Sequence, residues 1–231
     1  MHANSSTIRS AQNDLHPRLR EVVVRHLHGH YRRVPSDAGR DALARVIDRL
    51  AARPFILDAG CGTGASTFEL ALRNPEAFVV GVDKSAARLA LGQKQVDAGA
   101  APSNAILLRC ELVDFWQLAA AANLRCSRQF LLYPNPWPKP EHLQRRWHAH
   151  PVLPSILVLG GIIELRTNWR VYAEEFACAL ELAGAHVERC EEFAVDQPLT
   201  PFERKYAASG HALWRCLLAL APIVSMGARV G

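Results

Sequence analysis

Phe55 to Gly64, F-I-L-D-A-G-C-G-T-G, decides how this chain folds. Three apolar residues and an Asp run into Gly60, Gly62 and Gly64, and the helical pattern S-T-F-E-L-A-L-R follows before Pro75. An apolar strand feeding a Gly-rich turn and then a helix is the nucleotide-binding βα turn, in which the glycines let backbone approach a ligand where a Cβ would clash. A second strand, Phe78 to Val82, ends in Asp83 about twenty residues after the loop, where an acidic side chain would accept both ribose hydroxyls.

Further units repeat this plan. A third strand, Ala105 to Cys110, ends in Glu111, which either meets the adenine region of a ligand or is a surface carboxylate. A fourth, Gln129 to Tyr133, runs into P-N-P-W-P-K-P. Pro134, Pro136, Pro138 and Pro140 cannot continue a central strand, so the corner holds Asn135, Trp137 and Lys139 at a strand end. Glu141 to His148, carrying Arg145 and Arg146, reads as a short helix, and Val152 to Leu159 as apolar cover. A fifth strand, Ile162 to Leu165, precedes R-T-N-W and a helix from Val171 to about Ala183. Ala185 to Glu192 and Leu213 to Leu220 read as the last strands, joined by a loop containing T-P-F-E-R-K, with a tail from Ala221. Five βα units and two strands joined without a helix predict a Rossmann-like α/β fold. Its seven-stranded doubly wound sheet would carry helices on both faces and a late antiparallel hairpin.

Ahead of this domain, set at residues 54–231, lies a basic arm, residues 1–53, with ten Lys and Arg against five Asp and Glu; the remainder holds seventeen of each. The whole formal excess of +5 therefore sits in the arm. It suits either a phosphate backbone or a solvated helical face. Residues 1 to about 15 are polar and expected to be disordered, His16 to Arg33 a basic helix or arm broken near Gly29, and Asp37 to about Ala52 a second helix. His26, His28 and His30 would point in different directions on a helix, which argues against a metal site.

With 49% hydrophobic and 21% charged residues the composition is that of a soluble globular protein. Six cysteines lack any C-x-x-C spacing and several fall in apolar runs, so they read as reduced, buried thiols in a cytoplasmic protein. No N-terminal apolar core reads as a signal peptide. The apolar stretch Cys216 to Met226 contains Pro222 and is too short to span a bilayer, so no membrane role is expected. A monomer is the default expectation and a homodimer the alternative.

The spacing D-x-G-x-G-x-G, starting at Asp58, resembles the first motif of class I S-adenosylmethionine-dependent methyltransferases rather than the dinucleotide fingerprint. From Phe55 to Leu217 the chain is similar to the bacterial tRNA (guanine-N7)-methyltransferases. Y-P-N-P-W-P-K, with Arg145 and Arg146 beyond it, resembles that family's F-P-D-P-W-P-K and downstream R-R. R-T-N-W-R-V-Y-A resembles its T-D-W-x-x-Y-A, and T-P-F-E-R-K with G-H-A-L-W resembles its T-x-F-E element and terminal G-H-x-x-W. The resemblance implies S-adenosylmethionine as cofactor, S-adenosylhomocysteine as product, tRNA as partner and no metal. It also implies cofactor contacts from Asp58, Gly60, Gly62, Gly64, Asp83, Glu111 and Asn135. Catalysis would fall to Asn135 and Glu203, and substrate binding to Lys139, Arg145, Arg146, Asn168, Thr200 and Glu203.

Asn135 and Asn168 stand where the family carries Asp, Asp58 and Asp83 where it usually carries Glu, and the arm lacks its usual R-x-G-R. Guanine N7 has a lone pair and no proton, so methyl transfer to it needs orientation and desolvation rather than a general base. An Asp there would accept from guanine N1 and N2 or stabilise positive charge on the ring, whereas Asn has one acceptor oxygen, no charge and a donor group. Two other readings stay open. N-P-W faintly resembles the N-P-P-Y/W corner of amino-group methyltransferases, and the Asp-to-Asn changes suit an RNA-binding paralogue with weakened catalysis.

Overall fold

β1 (Phe55–Ala59) and β2 (Phe78–Asp83) are buried along their whole length. Near-continuous apolar runs of this kind belong at the centre of a parallel sheet covered on both faces. The computed structural model describes residues 8–31, 33–50 and 53–220. The expected tail from Ala221, the first seven residues, Arg32 and the last two residues of the expected second helix lie outside them.

α1 (Leu19–His28) and α2 (Asp37–Leu50) precede β1. α3 (Ala65–Arg73), α4 (Ala86–Asp97), β3 (Ala105–Arg109), α5 (Leu112–Ala121) and β4 (Arg128–Leu132) continue the alternation. α6 (Leu153–Val158), β5 (Ile162–Thr167), α7 (Arg170–Leu182), β6 (His186–Glu192), α8 (Pro201–Ala208) and β7 (Trp214–Ala219) complete it. The strands form one sheet in the order β3-β2-β1-β4-β5-β7-β6, parallel except for β7, which runs antiparallel to β5 and β6. It is the Rossmann-like seven-stranded sheet with a late antiparallel pair.

Side-chain alternation divides the core. Phe55, Leu57 and Ala59 of β1 and Phe78, Val80 and Val82 of β2 point into the main cluster, shared with Leu19, Val22 and Val23 of α1 and Ala42, Leu43 and Val46 of α2. Ile56 and Val79 face the other way, against Leu70 and Ala71 of α3. The basic arm is thus seated on the sheet through apolar stripes at helical spacing.

Four local expectations are corrected. First, the last two strands are not joined by loop alone, because α8 lies between them. Thr200 caps it by accepting from the Glu203 N–H at 2.9 Å, and Pro201 occupies its first turn, where a missing N–H costs nothing. A helix of 8 residues behind Pro198 and Pro201 is easily read as a loop. Second, Glu141 to His148 is two 3-10 segments, Pro140–Arg145 and Trp147–Ala149, parted by Arg146 in extended conformation. Third, residues 8–15 are not disordered but docked. Ser10 Oγ donates to the Pro138 carbonyl at 2.5 Å, and Gln12 Nε2 and the His16 N–H donate to Glu175 Oε1 at 2.6 and 2.9 Å. Fourth, Cys190 and Cys216 oppose each other across β6 and β7 and are joined as a disulfide, where six separate thiols were expected. A separation of 26 residues hides that pairing from the sequence.

Candidate active site

The glycine turn leaves the carboxyl end of β1 with Gly60, Gly62 and Gly64 all at left-handed φ, +85°, +59° and +81°. Non-glycine residues reach this region only at a cost, so the loop's path depends on these three positions. Beneath it, fully buried Asp58 accepts from the Ser66 and Thr67 hydroxyls of α3, both at 2.7 Å. Burial raises its carboxyl to about 6, against the pull of those two hydrogen bonds and with Asp83 adding repulsion. The side chain ties loop to helix and does not line the cleft.

Gly81, opposite Asp58 in the β1–β2 register, makes room for this arrangement. A Cβ there would come within 2.2 Å of Thr67 Oγ1. At the end of β2, Asp83 Oδ2 accepts from the Gly62 N–H at 3.0 Å and Oδ1 from the Ser85 N–H at 2.8 Å. Arg88 covers that carboxylate at 3.2 Å, and Lys84 approaches Glu111 to 3.6 Å beyond β3.

Above these groups opens a cleft of about 660 Å³ along the carboxyl ends of β1 to β4. Gly60, Asp83, Glu111, Asn135, Arg145 and Asn168, six of the expected site residues, line it together. The Pro-rich corner after β4 supplies one wall. Tyr133 and Trp137 hold φ at +53° and +46°, backbone that non-glycine residues adopt rarely and mostly at sites the surroundings over-determine. Asn135 Oδ1 accepts the Trp137 N–H at 3.2 Å, which assigns the amide orientation and leaves its NH2 free of that turn. Arg145 lies over the Trp137 ring, 4.8 Å from its centroid.

Other expected site residues lie elsewhere. Arg146, adjacent to Arg145, is fully buried. It pairs with Glu175 of α7 at 2.5 Å and donates to the Trp137 carbonyl, the Lys139 carbonyl and Gln12 Oε1. His148 Nε2 meets the same Glu175 carboxylate at 3.0 Å. Burial alone would raise Glu175, but the His148 hydrogen bond and Arg146 hold it down at about 2. Arg146 was expected to bind substrate; its fork is instead committed to the N-terminal strap, the Pro-rich corner and α7.

Glu203 is likewise 0% exposed. It accepts from the Leu199 N–H at 2.6 Å and the Tyr133 hydroxyl at 2.9 Å, and pairs with Arg166 at 2.9 Å. Burial and this carboxylate push the Tyr133 phenol far up, so it remains a donor. Glu203 and Thr200 brace the start of α8 rather than the cleft floor, and Lys139 is exposed outside the cleft lining. The cleft also contains residues that the sequence reading did not single out: Ile8, Arg88, Tyr133, Trp147, His150, Phe202 and Tyr206. Phe202 stood in plain view in T-P-F-E, but an isolated Phe reads as core. Burial lowers His150 to about 4, helped by His26 and Arg33, so it presents a neutral ring.

A family model described as a putative methyltransferase matches residues 52–216. The tRNA (guanine-N(7)-)-methyltransferase of Ectopseudomonas mendocina (strain ymp) is 30% identical over 74% of this chain and 73% of its own length. The chain belongs to the tRNA (guanine-N7)-methyltransferase family. Its Sodalis glossinidius (strain morsitans) member is 29% identical over 78% of this chain and 80% of its own. Among solved structures, an antibiotic-related methyltransferase superposes with a TM-score of 0.58 at 18% identity, over 80% of this chain and 96% of that one. The 16S rRNA methyltransferase KamB superposes with a TM-score of 0.57 at 17% identity, over 84% and 98%. Both likenesses are likenesses of fold. Family membership makes this chain an S-adenosylmethionine-dependent methyltransferase. Among the described residues no group of three or more His, Cys, Asp or Glu is placed to hold a metal.

Proposed function

We propose that this protein methylates guanine N7 in tRNA in the cytoplasm, working as a monomer, with residues 1–53 a basic arm on the methyltransferase domain of 54–231. The observation that carries the reading is one cleft lined jointly by Gly60, Asp83 and Glu111 from the cofactor motifs and by Asn135, Arg145 and Asn168 from the family's substrate motifs.

The chain fits S-adenosylmethionine. Open space at Gly60, where an added Cβ would meet only Leu112 at 3.8 Å, leaves bare backbone facing the cleft. Asp83 and Glu111 offer carboxylates to ribose and the adenine region, a ribose hydroxyl competing with Arg88 for Asp83 Oδ1. Gly62 and Gly64 shape the loop and Asp58 anchors it from below. The bound cofactor supplies an electrophilic methyl group on a sulfonium. Asn135 borders the methyl-transfer space, with Asn168 as a second amide on the same cleft. Guanine N7 has no proton to lose, so no residue need act as base. Arg145 and Lys139 meet phosphate. Glu203, Thr200 and Arg146 act by positioning α8 and the Pro-rich corner.

The competing amino-group reading would require Asn135 Oδ1, which accepts the Trp137 N–H, to take the target amine on its second lone pair. The deciding experiment incubates the protein with labelled S-adenosylmethionine and tRNA lacking N7-methylguanosine, then maps the product. Labelled N7-methylguanosine is expected; cofactor binding without transfer to any tRNA would sink the proposal.

A further inference from the structure

Phe202 is 53% exposed although it lines the cleft and belongs to a segment whose neighbours are tightly held. It lies 6.3 Å from the Tyr206 ring one helical turn on, the two planes tilted by 27°. Tyr206 contacts Tyr133 of the Pro-rich corner at 5.5 Å and stacks with His211 at 5.2 Å and 30°. A bare aromatic face thus crowns a column of rings rooted in the protein, beside the wall that carries Asn135 and Arg145.

We propose that Phe202, backed by Tyr206, is a stacking platform for an unpaired nucleobase of the RNA substrate. The inference rests on the tRNA reading above. A base has to leave its helical stack before N7 can reach an enclosed methyl donor, and aromatic side chains replace that lost stacking whichever base is offered. Leaving a large apolar face in water is unfavourable, yet the fold spends several buried polar contacts on keeping it there. Thr200 caps α8, and Glu203 holds the Leu199 N–H, the Tyr133 hydroxyl and Arg166. Together they fix helix and corner so that residue 202 faces the cleft. A cation, Arg145, lines the same cleft and is available to the backbone of the splayed nucleotide.

The test uses the full-length protein, unmodified tRNA, and a short single-stranded oligoribonucleotide with and without an abasic site. Phe202→Ala is expected to weaken tRNA affinity about tenfold or more, with an unchanged melting temperature as proof of folding, and Phe202→Tyr is expected to restore it. In Phe202→Trp the introduced indole's emission is expected to be quenched by the intact oligoribonucleotide and left unchanged by the abasic one. Binding by Phe202→Ala within twofold of wild type, or equal quenching by both oligonucleotides, overturns the proposal. These readouts do not require methyl transfer. Failure of the platform is thus separable from failure of the guanine N7 assignment, which the labelled-product experiment decides.

Discussion

Replacing Arg146 by Met should cost this protein more than most single changes, because it leaves a buried carboxylate with one partner fewer. Glu175 Oε2 faces Arg146 and His148, and Oε1 faces Gln12 and the His16 N–H, all within 3.0 Å. Its carboxyl is held at about 2 against an ordinary 4.5. Each unit corresponds to about 1.4 kcal/mol, so ionisation of Glu175 contributes about 3 kcal/mol of stability at neutral pH. The sign follows from the lowered value. The contribution is full above about pH 4.5 and is lost as pH falls toward 2. Removing one partner of a buried pair typically costs about 3 to 5 kcal/mol. Arg146→Met should therefore lower the unfolding free energy at pH 7 by about that amount, a fall in Tm of about 10 °C for a chain of this length. Urea unfolding at pH 7, 5 and 3.5 reads the effect, and the variant's acid limb should be flatter because much of the contribution is already gone. Arg146→Met combined with Glu175→Met should recover most of the lost stability, since apolar replacement of both partners removes the stranded charge. It should not recover turnover, because the Trp137 and Lys139 carbonyls stay without their donor. A single variant within about 1 kcal/mol of wild type with an unchanged acid limb would refute the reasoning.

Asp58 has the opposite sign: its carboxyl is raised from 3.8 to about 6, so its contribution is present at low pH and lost as pH rises through 6. Asp58→Asn should be more stable than wild type by up to about 3 kcal/mol at pH 8 and equal to it at pH 4; a constant offset in urea melts would count against this. Gly92→Ala sets a Cβ within 2.3 Å of the Thr63 carbonyl oxygen. α4 must then lift from the glycine loop, and S-adenosylmethionine affinity by calorimetry should fall about tenfold for a strain of 1 to 3 kcal/mol. Asn135→Asp keeps an acceptor for the Trp137 N–H and restores the charge of the family motif. It should raise kcat/KM for tRNA about tenfold, from a charge-assisted bond of 1 to 3 kcal/mol. A fall in kcat/KM would instead mean that this site needs the amide donor.

Much of the candidate site could be read ahead of the structure. Gly60, Asp83, Glu111 and Asn135 end consecutive strands, and a parallel sheet delivers all such ends to one edge. Arg145 and Arg146 mark where that reading stopped. One stacks on Trp137 in the cleft while the other is buried against Glu175, because the backbone between the two 3-10 segments turns the second side chain inward. Glu203 reads as a site carboxylate for the same reason: a charged residue in a family motif gives no sign of whether it faces solvent. Its partners come from residues 133, 166 and 199, and only folding gathers them.

The sequence by itself determined the strand order's raw material, the positive-φ glycine turn and the strand-end edge along which the cleft opens, because these depend on local periodicity, on backbone sterics and on the handedness of βα units. Tertiary structure decided which motif residues line the cleft and which brace it. It docked residues 8–16 on Glu175, buried Arg146 and Glu203, and left Phe202 bare at the mouth. Those outcomes turn on desolvation and on long-range partners. A charge is buried only where several distant groups converge to satisfy it, and no run of neighbouring residues records that convergence.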